Sequence, residues 1–268
     1  MATLPTLFIS HGSPMVALDS GEAGRAWAKL GRELPRPQSI LSVSAHWNTR
    51  DPVVSAVPTN DTIHDFHGFP EALYRVRYPA PGAPDLAARV VDLLEAAKMP
   101  IGIDPERGLD HGAYVPLMNM FPDADIPVAQ LSVQPQRDAR WHMKIGRALE
   151  PLRDEGVLIV ASGGAVHNLR EMARDGGDTP HWARNFDDWL ARTLAAGNEA
   201  DFLDWDKKGP EAKRAQPTPE HFLPIFVAYG AAGDRPQATP LFKGFTLGSM
   251  SMAAYGFAAR SAAADFAA

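Results

Sequence analysis

The sequence has no cysteine. Disulfides, thiolate nucleophiles, cysteine-ligated iron–sulfur clusters and cysteine-type zinc sites are excluded together. Such a chain suits a reducing compartment, and the cytoplasm is the expected location. Positive charge is also short: 26 Lys and Arg stand against 32 Asp and Glu, a formal net charge of −6. With no basic run, neither nucleic acid nor an anionic membrane surface is an expected partner. No apolar stretch approaches the roughly 18 residues of a membrane helix. The first ten residues carry no basic residue ahead of their short apolar run, so they do not read as a secretion signal. The patterns G-x-G-x-x-G and G-x-x-x-x-G-K-[ST] are missing, which leaves nucleotide binding without support. Ser162 follows an apolar run, but the G-x-S-x-G elbow of a serine hydrolase is missing too.

The chain has 268 residues, of which 45% are hydrophobic and 22% charged. That is an ordinary soluble composition, long enough for a sizeable core. Short apolar runs at Thr6–Ser10, Ile40–Ser44, Val53–Val57, Val128–Val133 and Val157–Ala161 read as strands covered on both faces. Helical patterns lie between them. Leu86, Val90, Leu93 and Ala97 share one face, as do Trp141, Ile145, Ala148 and Leu152 behind an N-cap at Asp138. Thr179-Pro180 and Thr218-Pro219 carry helix-start signals, with a stop at Gly230 for the second. The polar stretch Asp204–Thr218 reads as an exposed loop, and Ser249–Met252 as a last edge strand. Strand–helix alternation predicts an α/β fold: a single domain with a central, largely parallel sheet flanked by helices. The domain is expected over residues 1–258, with an Ala-rich tail over 259–268 that frays. No pattern sets an oligomeric state.

With cysteine absent, a metal would fall to histidine and carboxylate, and there are nine histidines. Ligands of open α/β sheets collect at the carboxyl ends of strands. His11 directly follows the first strand, His46 the second, and His167 follows Val157–Ala161 past Gly163-Gly164. Three strand ends thus deliver a histidine to one rim. His221 lies between Pro219 and Pro224, a stiff segment suited to fixing a late residue onto that rim. His111, in Asp110-His111-Gly112, sits at a turn leading into a helix that Pro116 tolerates only in its early turns. There the helix dipole favours a neutral imidazole that donates a hydrogen bond to a substrate. His64 and His67 have i, i+3 spacing, but Gly68 and Pro70 argue against the helix a metal pair would need. His142 and His181 read as structural or exposed.

Five ordered segments carry a resemblance: Ser10-His11-Gly12-Ser13-Pro14, Ser44-Ala45-His46-Trp47, Leu109 to Leu117, Val166-His167-Asn168-Leu169-Arg170, and Pro219-Glu220-His221-Phe222-Leu223-Pro224. Together with Asp65–Pro70 and Met250–Phe257, they resemble the DOPA-dioxygenase-type branch of the class III extradiol ring-cleaving dioxygenases. That superfamily includes the protocatechuate 4,5-dioxygenase catalytic subunit. The resemblance implies an oxidoreductase that opens a catechol ring and incorporates both atoms of O2. It implies one non-haem Fe(II) held by His11, His46 and His221, a site that Zn(II) also occupies in members of the branch. His167 would be the acid/base and a possible additional ligand, and His111 would line the substrate side. Other branches use two histidines and a glutamate, so Glu220 is an alternative third ligand. Arg170 is a candidate cation for a carboxylated substrate. A zinc hydrolase on the same three histidines, and a non-catalytic metal-binding module, are the alternatives.

Overall fold

The computed structural model describes residues 3–173 and 177–259. Ten strands are present among them: β1 (Thr6–Ser10), β2 (Ser39–Asn48), β3 (Val53–Ser55), β4 (Gly102–Asp104), β5 (Val128–Val133), β6 (Val157–Gly163), β7 (Gln237–Phe242), β8 (Phe245–Thr246), β9 (Met250–Ser251) and β10 (Ala254–Ala258). Eight form one sheet in the order β4-β3-β5-β2-β6-β1-β10-β7, while β8 and β9 pair separately. The four central strands β5, β2, β6 and β1 run parallel, so their carboxyl ends share one rim.

Alternation along these strands builds two cores. Leu7, Ile9, Ile40, Val128, Leu158 and Val160 face one side; Phe8, Leu41, Val43, Leu131, Ile159 and Ala161 face the other. The helices that cover them are α1 (Gly21–Glu33), α2 (Glu71–Tyr74), α3 (Pro84–Ala96), α4 (His111–Met120), α5 (Ala139–Leu149), α6 (His181–Ala195), α7 (Glu199–Leu203), α8 (Trp205–Lys208), α9 (Ala212–Ala215) and α10 (Pro224–Ala231). α1 and α4 close the first side; α3, α5, α6 and α10 close the second. All eight residues of α10 are buried between α5 and the sheet, which explains its lack of a polar face. The fold is the α/β class that strand–helix alternation predicts.

Several local expectations change. Asp204–Thr218 is not one exposed loop. It holds α8 and α9, and Trp205, Ala212 and Ala215 are buried against the core that contains Phe186 and Phe222. Thr218-Pro219 does not start a long helix. Pro224 has no N–H for the carbonyl four residues earlier, so residues 219–223 form a separate turn and α10 begins at Pro224. At Thr179-Pro180, Pro180 is itself the N-cap of α6 and no side chain caps it. Met250–Ser251 is a short buried strand paired only with β8, outside the main sheet, and it is not the last strand. The last strand is β10, held inside the sheet between β1 and β7. Of the Ala-rich tail expected over 259–268, residues 260–268 lie outside the described residues.

Candidate metal centre

His11 leaves the end of β1 with its backbone N–H on the carbonyl of Gly163 at 3.0 Å. His46 occupies the last turn of β2, where the ladder to β5 skips from Val43 to Asn48. Ser44 still pairs with Ser162 on β6, and the irregularity lets residues 45–47 leave the ladder over the rim. His221 arrives from far along the chain. Its carbonyl accepts the N–H of Gly164 at 2.8 Å, and the side chain of Gln216 donates to the carbonyls of Gly164 and Ala165. A Cβ on Gly163 would collide with the His221 carbonyl, so glycine is what permits this approach. Phe222, the next residue, is fully buried among Phe186, Phe202, Trp205 and Phe226, which anchors the segment.

The three imidazoles converge through Nε2. His11 Nε2 lies 3.0 Å from His46 Nε2, which lies 3.2 Å from His221 Nε2. The partners on the other nitrogens assign the tautomers. His46 Nδ1 faces the Asp65 carboxylate at 3.2 Å, and His221 Nδ1 faces the Glu220 carboxylate at 3.2 Å. A carboxylate only accepts, so both Nδ1 atoms carry the proton. His11 Nδ1 meets Ser162 Oγ at 2.9 Å, and that hydroxyl spends its own proton on the carbonyl of Gly112. His11 therefore donates as well. Three Nε2 lone pairs thus face one another with no proton between them. Three nitrogens bound to one divalent metal at about 2.1 Å would stand roughly 3.0–3.4 Å apart, depending on coordination geometry. The donor set fits a cation, and His11, His46 and His221 form a group able to hold one.

Electrostatics agree. Burial, reinforced by the neighbouring histidines, pushes His11 well below the usual imidazole range. Burial also brings His221 down to about 4, although Glu220 opposes it. Burial would raise the Glu220 carboxyl, but hydrogen bonds from His221 and Thr218 outweigh it and hold the group at about 2. Burial opposes ionisation of Asp65 too, and the hydrogen bonds from His111 and His46 overcome it and drive that carboxyl far down. Neutral imidazoles backed by ionised carboxylates are what a divalent cation requires. Glu220 stands behind His221, bonded to Thr218 Oγ1 at 2.8 Å, and not in the convergent group.

His167 stacks on His221, with ring centroids 3.5 Å apart and planes only 6° apart. Its ring lies parallel to that of His221 and does not belong to the convergent group of His11, His46 and His221. Burial lowers it to about 2, with His221 and His46 adding to the effect, so it is neutral. His111 begins α4 and lies over His46 at 3.9 Å between centroids. Asp110 caps that helix and is fully buried, accepting from Ser44, Gln130 and Arg107 at 2.6, 2.5 and 2.9 Å. His111 Nδ1 faces Asp65 at 2.9 Å. Its remaining nitrogen is consequently an acceptor when the ring is neutral, opposite to the donor expected from the helix-start argument.

The other histidines stand apart. His64 Nε2 lies 3.1 Å from the carbonyl of Val76 and 3.3 Å from Arg77, and His67 and His181 are exposed. His142 is buried: Nδ1 donates to the carbonyl of Asp138 at 2.8 Å and Nε2 accepts the N–H of Gln134 at 3.1 Å. Arg170 is exposed in the turn Leu169–Glu171. Asp65 and Ser162 escape sequence reasoning. Asp65 sits between two histidines that draw attention for spacing, and Ser162 reads only as a failed nucleophile.

The comparisons with known proteins agree with this geometry. Residues 5–258 match the family described as the catalytic LigB subunit of aromatic ring-opening dioxygenase. The 4,5-DOPA dioxygenase extradiol of Beta vulgaris is 46% identical over 256 residues, covering 94% of this chain and 96% of that protein. The protein of the same name from Escherichia coli K12 is 45% identical over 258 residues, covering 93% of each. A crystal structure of an uncharacterised Escherichia coli K12 protein superposes with a TM-score of 0.79 at 40% identity, covering 94% of this chain and 99% of that one. With the match spanning nearly its whole length, the chain belongs to the LigB family of aromatic ring-opening dioxygenases.

Proposed function

We propose that this chain is an extradiol dioxygenase that opens a DOPA-like catechol beside its diol, using O2 and one Fe(II) held by His11, His46 and His221. The observation that carries the reading is the convergence of three unprotonated Nε2 atoms, 3.0 and 3.2 Å apart, in a member of this family. The substrate class follows from the relatives named as 4,5-DOPA dioxygenases. In the reaction a ring C–C bond next to a diol carbon breaks. Four electrons pass from the ring to O2, and its two atoms end in an aldehyde and a carboxyl group. When bound, the metal would gather catechol and O2 and let electrons flow between them. Zn(II) suits the same ligands but has no redox chemistry, which favours iron as the active metal.

The protein's own residues handle position and protons. Ser162, Asp65 and Glu220 hold the three ligand rings with Nε2 inward. His167, stacked on His221, would take the proton of a catechol hydroxyl and return it as the ring opens. His111 Nε2 supplies an acceptor on the opposite flank, over His46.

The test is oxygen uptake over a small catechol panel after anaerobic Fe(II) loading. One O2 consumed per ring opened supports the reading. Hydrolysis with Zn(II) and no oxygen uptake would assign the site to a zinc hydrolase, and metal binding without turnover of any kind to a binding module.

A further inference from the structure

Asp65 faces two histidines at once, one oxygen to each. Oδ2 lies 3.2 Å from His46 Nδ1, and Oδ1 lies 2.9 Å from His111 Nδ1. Oδ1 also accepts the backbone N–H of His111 at 3.0 Å. The placement is built into the chain. Ile63 N–H donates to the Leu109 carbonyl and Leu109 N–H to the Asp61 carbonyl, each at 2.8 Å. These bonds strap the segment before Asp65 to the residues that lead into α4. Phe66, buried next door, sets its ring edge-on to His111 at 5.7 Å.

We propose that Asp65 is a positioning residue with two separable tasks. Through Oδ2 it keeps His46 in the tautomer whose Nε2 ligates the metal. Through Oδ1 it keeps His111 in the tautomer whose Nε2 is an acceptor on the substrate side. The second task rests on the dioxygenase reading; the first needs only the metal site. An ionised carboxylate is required because both partners are donors. An asparagine offers one acceptor oxygen, and its NH2 would meet an imidazole N–H, so one ring must turn over or exchange its proton.

The separation can be measured. Zn(II) affinity, by chelator competition, and kcat with a DOPA-like catechol at saturating Fe(II) are determined for wild type, Asp65→Asn, His111→Ala and the double variant. Asp65→Asn weakens Zn(II) binding by about 10- to 100-fold, the usual effect of losing the partner of a ligand histidine. The same factor appears in the His111→Ala background, because the Oδ2 arm does not pass through His111. Asp65→Asn lowers kcat in the wild-type background and adds almost nothing in the His111→Ala background. Unchanged Zn(II) affinity overturns the first task, and kcat losses that multiply in full overturn the second. Nitrogen-15 spectra of the Zn(II)-loaded wild type give a check that needs no variant: both His46 and His111 carry their proton on Nδ1, and a proton on Nε2 of either sinks the proposal. If the wild type takes up no O2 with any catechol, the dioxygenase reading fails, while the affinity and the spectra still judge Asp65.

Discussion

Pro116 and Ser162 meet at a single carbonyl. In a regular helix the N–H of residue 116 would bond the carbonyl of Gly112, but proline has none to give. Ser162, at the end of β6, donates its hydroxyl there and so has only a lone pair left for His11 Nδ1. A proline inside α4 thereby fixes the tautomer of the histidine that follows β1. Ser162→Ala removes the acceptor. Its expected result is a 10- to 100-fold loss of metal affinity with the fold retained, read by chelator competition and circular dichroism.

Gly112 serves His46 by being small. A Cβ there would stand 3.0 Å from His46 Cδ2 and crowd Ser44 Oγ more severely. In an unconstrained helix, Gly→Ala gains about 1 kcal/mol. Gly112→Ala is expected to forgo that gain and to bind metal at least tenfold more weakly, since the His46 ring must shift. Thermal melts with and without Zn(II) read both effects; a stabilised protein with intact affinity would contradict the packing argument.

His167→Ala is expected to retain the metal and lose turnover by roughly 10²–10⁴-fold, the range for a positioned acid/base. The ring stacks on His221 and is not in the convergent group, so its removal leaves the three Nε2 atoms in place. Metal analysis beside steady-state kinetics decides the matter: metal lost together with activity makes His167 a ligand.

His142 makes stability depend on pH. Burial pushes it down to about 4 in the fold, against roughly 6.5 when unfolded. As pH falls below 6.5 the unfolded chain takes up the proton first, so stability drops until about pH 4 and this contribution levels off below. The loss is on the order of 3 kcal/mol. Urea unfolding of wild type and His142→Gln across that window should show the wild-type advantage shrinking as pH falls. An advantage that stays constant would mean that His142 does not titrate there.

The central parallel strands, the α/β class and the histidines at strand ends were legible because each rests on local chemistry. Apolar runs such as Val157–Val160 must be buried on both faces, and a residue that follows a central strand must reach the rim. The prolines that bracket His221 were equally readable as stiff points, although not what that segment pressed against; the close approach at Gly163 was not readable. Only the tertiary structure brought Asp65 to His46 and His111, Ser162 to His11, and the His221 carbonyl to Gly164. These partners lie far apart along the chain, and a hydrogen bond leaves no periodicity behind. The donor or acceptor character of His111 was likewise beyond local reading, since it depends on which oxygen arrives at Nδ1, and that was settled by how the segment before Asp65 is strapped to Leu109.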